Sequence, residues 1–256
     1  MTDPKALSRE RFAEHANEYV RSAVHAGGAD LEKLVELARA EPQWVALDVA
    51  TGGGHTAIAV APLVAGMVAL DFTPEMLDAA RGLSEERAVA GIEFVLGDAE
   101  ALPFEDGSFD LVTCRLAAHH FPNVQRFVDE VARVLKPGGR FVLQDQCVPG
   151  NTVSATFVNL FDRLRDPSHN RALSSAAWTE VIRRAGLTPG EVALFDKRMA
   201  LDEWARMQSC TPETVTHLRE LLADASEGAL EWMAPEGEGA SQSFLIRHCV
   251  MAADKQ

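Results

Sequence analysis

The sequence predicts an α/β protein built on a doubly wound, mostly parallel seven-stranded sheet with helices on both faces. Three observations carry that reading. Short apolar runs alternate with amphipathic stretches from Asp30 to Gln146. Glycine, proline or capping residues separate one stretch from the next. The chain has 256 residues, enough for one large domain with its own core. Alternation of this kind implies right-handed crossovers and a sheet covered on both sides.

The elements follow in order. Leu31, Leu34, Val35 and Leu37 recur at helical spacing over Asp30–Ala40, and Glu41-Pro42 ends that helix. Trp44–Ala50 reads as a strand entering a tight turn at Gly52-Gly53-Gly54. His55–Ala61 is the next helix, stopped by Pro62, and Met67–Phe72 the second strand. Thr73 suits an N-cap and Pro74 the first helical position, for a helix to about Val89. Ile92–Leu96 and Phe109–Arg115 are strands three and four. Val124, Phe127, Val128, Val131, Val134 and Leu135 share one face of a helix over Pro122–Leu135. Lys136-Pro137-Gly138-Gly139 ends it, and Arg140–Gln144 is strand five. The pattern then loosens. Helices are expected over Val153–Leu164, Ser175–Ala185, Leu201–Gln208 and Pro212–Ala223, with strands at Glu191–Asp196 and Phe244–Ala252. This divides the chain into an N-terminal segment, 1–29, and a domain, 30–256. Insertions at about 147–175 and 199–240, after strands five and six, are placed to form a helical cap.

Composition narrows the function. Lys plus Arg number 24 and Asp plus Glu 38, a net charge of −14, which repels a phosphate backbone and argues against a nucleic-acid partner. Met1–Ala16 is charged throughout and lacks the apolar core of a signal peptide. The longest apolar run, Ala57–Leu70, falls short of the roughly 20 residues that span a bilayer. Cys114, Cys147, Cys210 and Cys249 lie far apart, which speaks against a disulfide framework or zinc site and for a cytoplasmic location.

Asp48-Val-Ala-Thr-Gly-Gly-Gly54 is the most informative stretch. Gly52 and Gly54 allow a sharp turn and close approach of a ligand to the main chain. Gly52-x-Gly54-x-x-Ala57 also satisfies the dinucleotide fingerprint. Asp71 follows about 20 residues on, where a carboxylate accepts both ribose hydroxyls. Loop and carboxylate together indicate an adenosine-type cofactor without choosing which. Asp98, after strand three, can accept from an adenine amino group while the Ala99 amide meets a ring nitrogen.

LDVATGGG, LDFTPEML, GDAEALPF, SFDLV and RVLKPGG occur in this order. With them the chain resembles the class I S-adenosylmethionine-dependent methyltransferases of the small-molecule type, which include ubiquinone and menaquinone C-methyltransferases. The resemblance covers roughly Asp30 to Asp145. It implies a Rossmann-like fold, S-adenosyl-L-methionine as cofactor, S-adenosyl-L-homocysteine as product, and a small-molecule acceptor methylated on oxygen, nitrogen or carbon. It implies that Asp48 and the backbone of Ala50, Thr51, Gly52 and Gly54 hold the methionine end. It gives Asp71 the ribose, Phe72 a flank of the adenine, Asp98 and Ala99 the adenine edge, and Arg115 a main-chain contact. Ala50 stands where many members carry glycine, a change tolerated while its φ stays negative. Two rivals remain open: an NAD-dependent oxidoreductase, and a non-catalytic S-adenosylmethionine-binding protein.

His119 and His120 follow strand four directly, where the resemblance borders the methyl group. An unperturbed histidine accepts a proton near neutrality, so both are candidate bases, His120 first on position. The bland reading is that they cap the following helix or shape the pocket. Adjacent histidines without a third ligand are no metal site. Arg163, Arg165, His169 and Arg171 can receive an anionic substrate group, although a solvated, self-paired loop is the preferred reading. Asp145 faces the expected cleft edge, with structural capping the equal alternative. Phe157, Phe161, Trp178, Trp204, Met207, Trp232 and Met233 suit either an apolar acceptor or a plain core. The segment from Phe12 to Tyr19 resembles the family's lid, or else is an ordinary surface helix.

Overall fold

The computed structural model describes residues 4–21 and 27–256, with the side chains of residues 15–21 outside the description. Its sheet contains β1 (Val45–Val49), β2 (Gly66–Asp71), β3 (Ile92–Leu96), β4 (Phe109–Arg115), β5 (Leu135–Cys147), β6 (Leu187–Ala200) and β7 (Ser243–Lys255). They lie in the order β3-β2-β1-β4-β5-β7-β6, and β7 runs antiparallel to both neighbours. The helices are α1 (Pro4–Arg21), α2 (Ala29–Ala38), α3 (His55–Val60), α4 (Pro74–Glu86), α5 (Val124–Val134), α6 (Thr152–Arg165), α7 (Ser175–Arg184), α8 (Leu201–Arg206), α9 (Pro212–Ala223) and α10 (Glu227–Met233). Among the described residues, no helix is long and apolar enough to cross a membrane.

Strand side chains alternate between faces, and both faces are apolar. Leu47, Leu70, Val112 and Phe141 pack on one side with Phe127 of α5 and Trp178 of α7. Ala46, Met67, Leu111 and Val142 pack on the other with Leu34 of α2 and Ala57 of α3. The two insertions share a third apolar cluster, in which Phe161 of α6 meets Trp204 of α8, Leu218 of α9 and Phe244. The chain leaves β1 toward β2 on one side and returns at β4 on the other. That reversal opens a crevice at the carboxyl ends of β1 and β4.

Several boundaries differ from the sequence reading for local reasons. Helix α5 begins at Val124 because the Asn123 side chain accepts from the Arg126 amide at 3.0 Å. Lys136–Gly139 lies within β5 as an irregularity, the register passing from Phe109↔Leu135 to Leu111↔Arg140. Lys136 pairs there with Asp110 at 2.7 Å. Thr73 precedes α4 but its side chain makes no cap bond; the Asp71 carboxylate accepts the Thr73 amide instead. Helix α4 ends at Glu86, short of Val89. Helix α10 has no counterpart in the sequence reading.

Candidate functional site

The loop after β1 is built from the main chain. Thr51 N donates to Leu70 O at 2.9 Å, and Gly52 N to Asp71 Oδ2 at 2.9 Å, so the turn is stitched to the end of β2. Gly54 takes φ 81, and a Cβ there would lie 2.9 Å from Ala80 Cβ of α4. Both facts require glycine. Ala50 has φ 53, which corrects the expectation of a negative φ: the turn holds an alanine in the left-handed region.

Asp48 sits beneath this loop and is not a wall residue of the cleft. Its two oxygens accept from the hydroxyls of Thr51 and Thr113, each at 2.7 Å. Burial raises its pKa to about 6 despite those bonds. Asp48 therefore shapes the turn.

Above the loop lies a cleft of about 960 Å³, open solvent at its mouth included. Ala50, Thr51, Gly52, Asp71, Phe72, Asp98, Ala99, Arg115 and His120 all line it. Asp71 is 5% exposed and accepts from the amides of Gly52 and Thr73 at 2.9 Å. Burial pushes its pKa up, and the amide bonds oppose that. Gly52 faces open space, so a ligand can reach its backbone. Arg115 donates from Nε to Gln144 Oε1 at 2.8 Å and lies 3.4 Å from Asp30 Oδ2.

Helix α1 lines the cleft through Lys5, Ser8 and Phe12. Lys5 Nζ lies 2.6 Å from Asp98 Oδ2 and 2.7 Å from Glu100 Oε2. Burial disfavours the Asp98 anion, but Lys5 and the Glu100 amide outweigh it and hold the carboxyl below its usual range. Glu100 is buried, lines the cleft, and accepts the Asn123 amide at 2.6 Å. Sequence reasoning missed Lys5 and Glu100; charged residues in a polar motif carry no signal of burial. Arg9 lies over the Phe72 ring at 5.5 Å.

The histidines follow β4, on a short helical turn at Ala118–His120. His120 is 8% exposed and lines the cleft, its ring 5.0 Å from that of Phe12, edge-on. His119 lies behind it, ring to ring at 4.2 Å, with Nδ1 2.6 Å from Asp145 Oδ1. Burial disfavours the His119 cation, but Asp145 outweighs it and raises the pKa. Burial and the His119 charge hold His120 well below the ordinary range, so it is neutral at pH 7. Neither histidine caps α5; Asn123 does.

The remaining candidates divide. Asp145 is fully buried and brought to His119, and among the described residues its Oδ2 has no hydrogen-bond partner. His169 is buried with Nε2 2.8 Å from Asn159 Oδ1, its ring 5.3 Å from His119; burial drives its pKa to about 2. Arg171 is exposed, and its amide donates to His119 O at 2.8 Å. Arg163 donates to the His169 and Asn170 carbonyls, and Arg165 to the Trp204 carbonyl. That loop is self-paired, as the sequence reading preferred, but Asp166, Ser168 and His169 are buried rather than solvated. Tyr19 belongs to α1, and its side chain lies outside the described residues.

A methyltransferase-domain family model matches residues 47–143, the span from β1 into β5 that builds this cleft. An uncharacterized methyltransferase of Bacillus subtilis, YcgJ, is 38% identical over 221 residues, 84% of this chain and 87% of that protein. A demethylmenaquinone methyltransferase of Clavibacter sepedonicus is 37% identical over 134 residues, about half of each chain (51% and 53%). The crystal structure of a putative methyltransferase from Bacillus halodurans superposes with a TM-score of 0.86 at 38% identity, covering 89% of this chain and 99% of that one.

Proposed function

The chain belongs to the class I methyltransferase family, and on that premise we propose that it transfers a methyl group from S-adenosylmethionine to a small, apolar or aromatic acceptor. One observation carries the reading. A single cleft is lined by the glycine loop, by Asp71 and by His120. The residues fit the cofactor. The open backbone at Gly52 suits the methionine end, buried Asp71 the ribose hydroxyls, and Phe72 with Ala99 the faces of the adenine. Asp98 has to share its Lys5 contact with the adenine edge. When bound, S-adenosylmethionine supplies a sulfonium-activated methyl group.

The chain's own task is then to place the acceptor and receive its proton. Phe12, Leu116, Ala117 and Phe121 form the wall beside His120, which favours an apolar, planar acceptor. The relative named for demethylmenaquinone supports that class. His120 is neutral and able to accept a proton; its low proton affinity suits an acceptor that ionises readily. His119, backed by Asp145, supports the His120 ring. The two insertions that pack through Phe161 and Trp204 serve as the cap. The chain's cysteines and charge suit a cytoplasmic protein with no nucleic-acid partner.

Isothermal titration with S-adenosylmethionine and NAD tests the cofactor. Binding of S-adenosylmethionine alone is expected; binding of NAD alone overturns the reading. Asp71→Ala should weaken binding roughly 10- to 100-fold, the worth of a charged hydrogen bond or two. Unchanged affinity would remove the ribose role. His120→Ala should keep cofactor affinity and lose turnover with phenolic and enolic acceptors. No turnover by the wild type with any acceptor class would favour a binding protein.

A further inference from the structure

We propose that Asp166 is a positioning residue for His120, acting through Ser168, and that α1 reaches the pair through Arg11. This rests on the reading of His120 as the cleft's proton acceptor. Asp166 follows α6 and is 6% exposed; Ser168 is 5% exposed. One carboxylate oxygen, Asp166 Oδ1, accepts the Ser168 amide at 2.9 Å and the Ser168 hydroxyl at 2.6 Å. A carboxylate only accepts, so the hydroxyl proton is committed to Asp166. What Ser168 Oγ offers His120 Nδ1, 3.2 Å away, is therefore a lone pair. The Ser168 carbonyl, 3.0 Å from the same nitrogen, also only accepts. Both contacts require the proton on Nδ1, which leaves Nε2 as the basic nitrogen of a ring that lines the cleft. The arrangement has the logic of a base oriented by a third group.

Helix α1 touches both ends of this chain of contacts. Arg11 Nε is 3.2 Å from Asp166 Oδ1, and Arg11 also donates to Gln208 Oε1 at 2.8 Å. The next residue, Phe12, meets the His120 ring. Charged and titratable groups face His120 from every side: His119 on its own turn, Asp145 from β5, Asp166 and His169 from the loop after α6, and Arg11 from α1. Asp166 favours the imidazolium, and Arg11 offsets Asp166.

Long-range proton–nitrogen NMR of the full chain, labelled at histidine, reads the His120 tautomer and titration. It needs neither cofactor nor acceptor. Wild type should show His120 neutral with its proton on Nδ1. Asp166→Ala frees the Ser168 hydroxyl and removes the nearby anion, so it should lower the proton affinity of His120, while the Ser168 carbonyl still holds the proton on Nδ1. Asp166→Asn keeps the shape and should lower the proton affinity of His120 roughly tenfold, and Arg11→Gln should raise it by a similar factor. In the double variant the Arg11 effect should largely vanish. A His120 tautomer and titration unchanged in Asp166→Asn overturns the proposal, as does an Arg11→Gln effect of the same size without Asp166. If these signatures appear but S-adenosylmethionine does not bind, the functional reading fails alone. If it binds and the signatures are missing, the positioning role fails alone.

Discussion

Replacing Asp162 with Asn should make the protein more stable, by a margin that grows with pH. Asp162 lies on α6, is 5% exposed, and accepts from the Gln146 amide through Oδ2. Burial drives its pKa from 3.8 to about 7, although Arg165 and His119 favour the anion. The folded value lies above the unfolded one, so the folded state binds the proton more tightly. The stability this lends is fully present below pH 3.8 and is lost as pH rises through about 7. At about 1.36 kcal/mol for each pH unit between the two values, the loss approaches about 4 kcal/mol above pH 7. About 3 kcal/mol of it accrues between pH 5 and 8. Asparagine has the shape of the protonated acid, keeps an oxygen for Gln146, and does not ionise. Urea unfolding at pH 5, 6.5 and 8, followed by tryptophan fluorescence, measures the margin over wild type. A margin that stays constant across that range, or a variant less stable at pH 8, would refute the argument.

The other expectations concern the loop, the cap and α1. Ala50→Gly removes a left-handed alanine worth about 1–2 kcal/mol, against about 0.4–1 kcal/mol for the freer unfolded chain. Unfolding should show no loss and up to about 1.6 kcal/mol gained; a clear loss would mean that the turn is unstrained. Phe161 is fully buried and stacked on Trp204 at 5.2 Å, so Phe161→Ala should cost about 3–5 kcal/mol, and a change under about 1 kcal/mol would contradict the packing. Lys5→Met releases Asp98, so calorimetry should find S-adenosylmethionine bound severalfold more tightly; weaker binding would show that Lys5 serves the cofactor.

The sheet was legible because each strand's apolar run carries its own boundaries. Alternation from Leu31 to Leu143 marks strands β1 to β5 and the helices between them. Lengths were underread where the chain bends without leaving the sheet. Gly138 at φ 79 and the irregularity between Pro189 and Val192 look like stops in sequence, but the ladder continues past both. Helix α10 was missed because only Ala229 and Met233 of its residues are buried, too few to set a period. Its helicity depends on packing against α6, which is tertiary information.

The two sides of the cleft follow different rules. The glycine-loop side is made by strand-to-helix turns, where glycine spacing and a carboxylate three residues before a helix record the backbone path directly. Gly52, Asp71 and Asp98, each singled out in the sequence, line one cleft. The histidine side is made by side chains far apart in the chain: Phe12 and Arg11 from α1, His119 and His120 after β4, Asp166 and Ser168 after α6. A buried aspartate and a solvated one look identical in sequence, which is why Asp166 read as surface. The same separation has a functional consequence. Under the proposed function, substitutions in the loop after α6 would change what surrounds His120, whereas the β1 turn is held by its own bonds to Leu70 and Asp71. The acceptor is thus free to vary across this fold while the turn that Asp71 holds stays fixed.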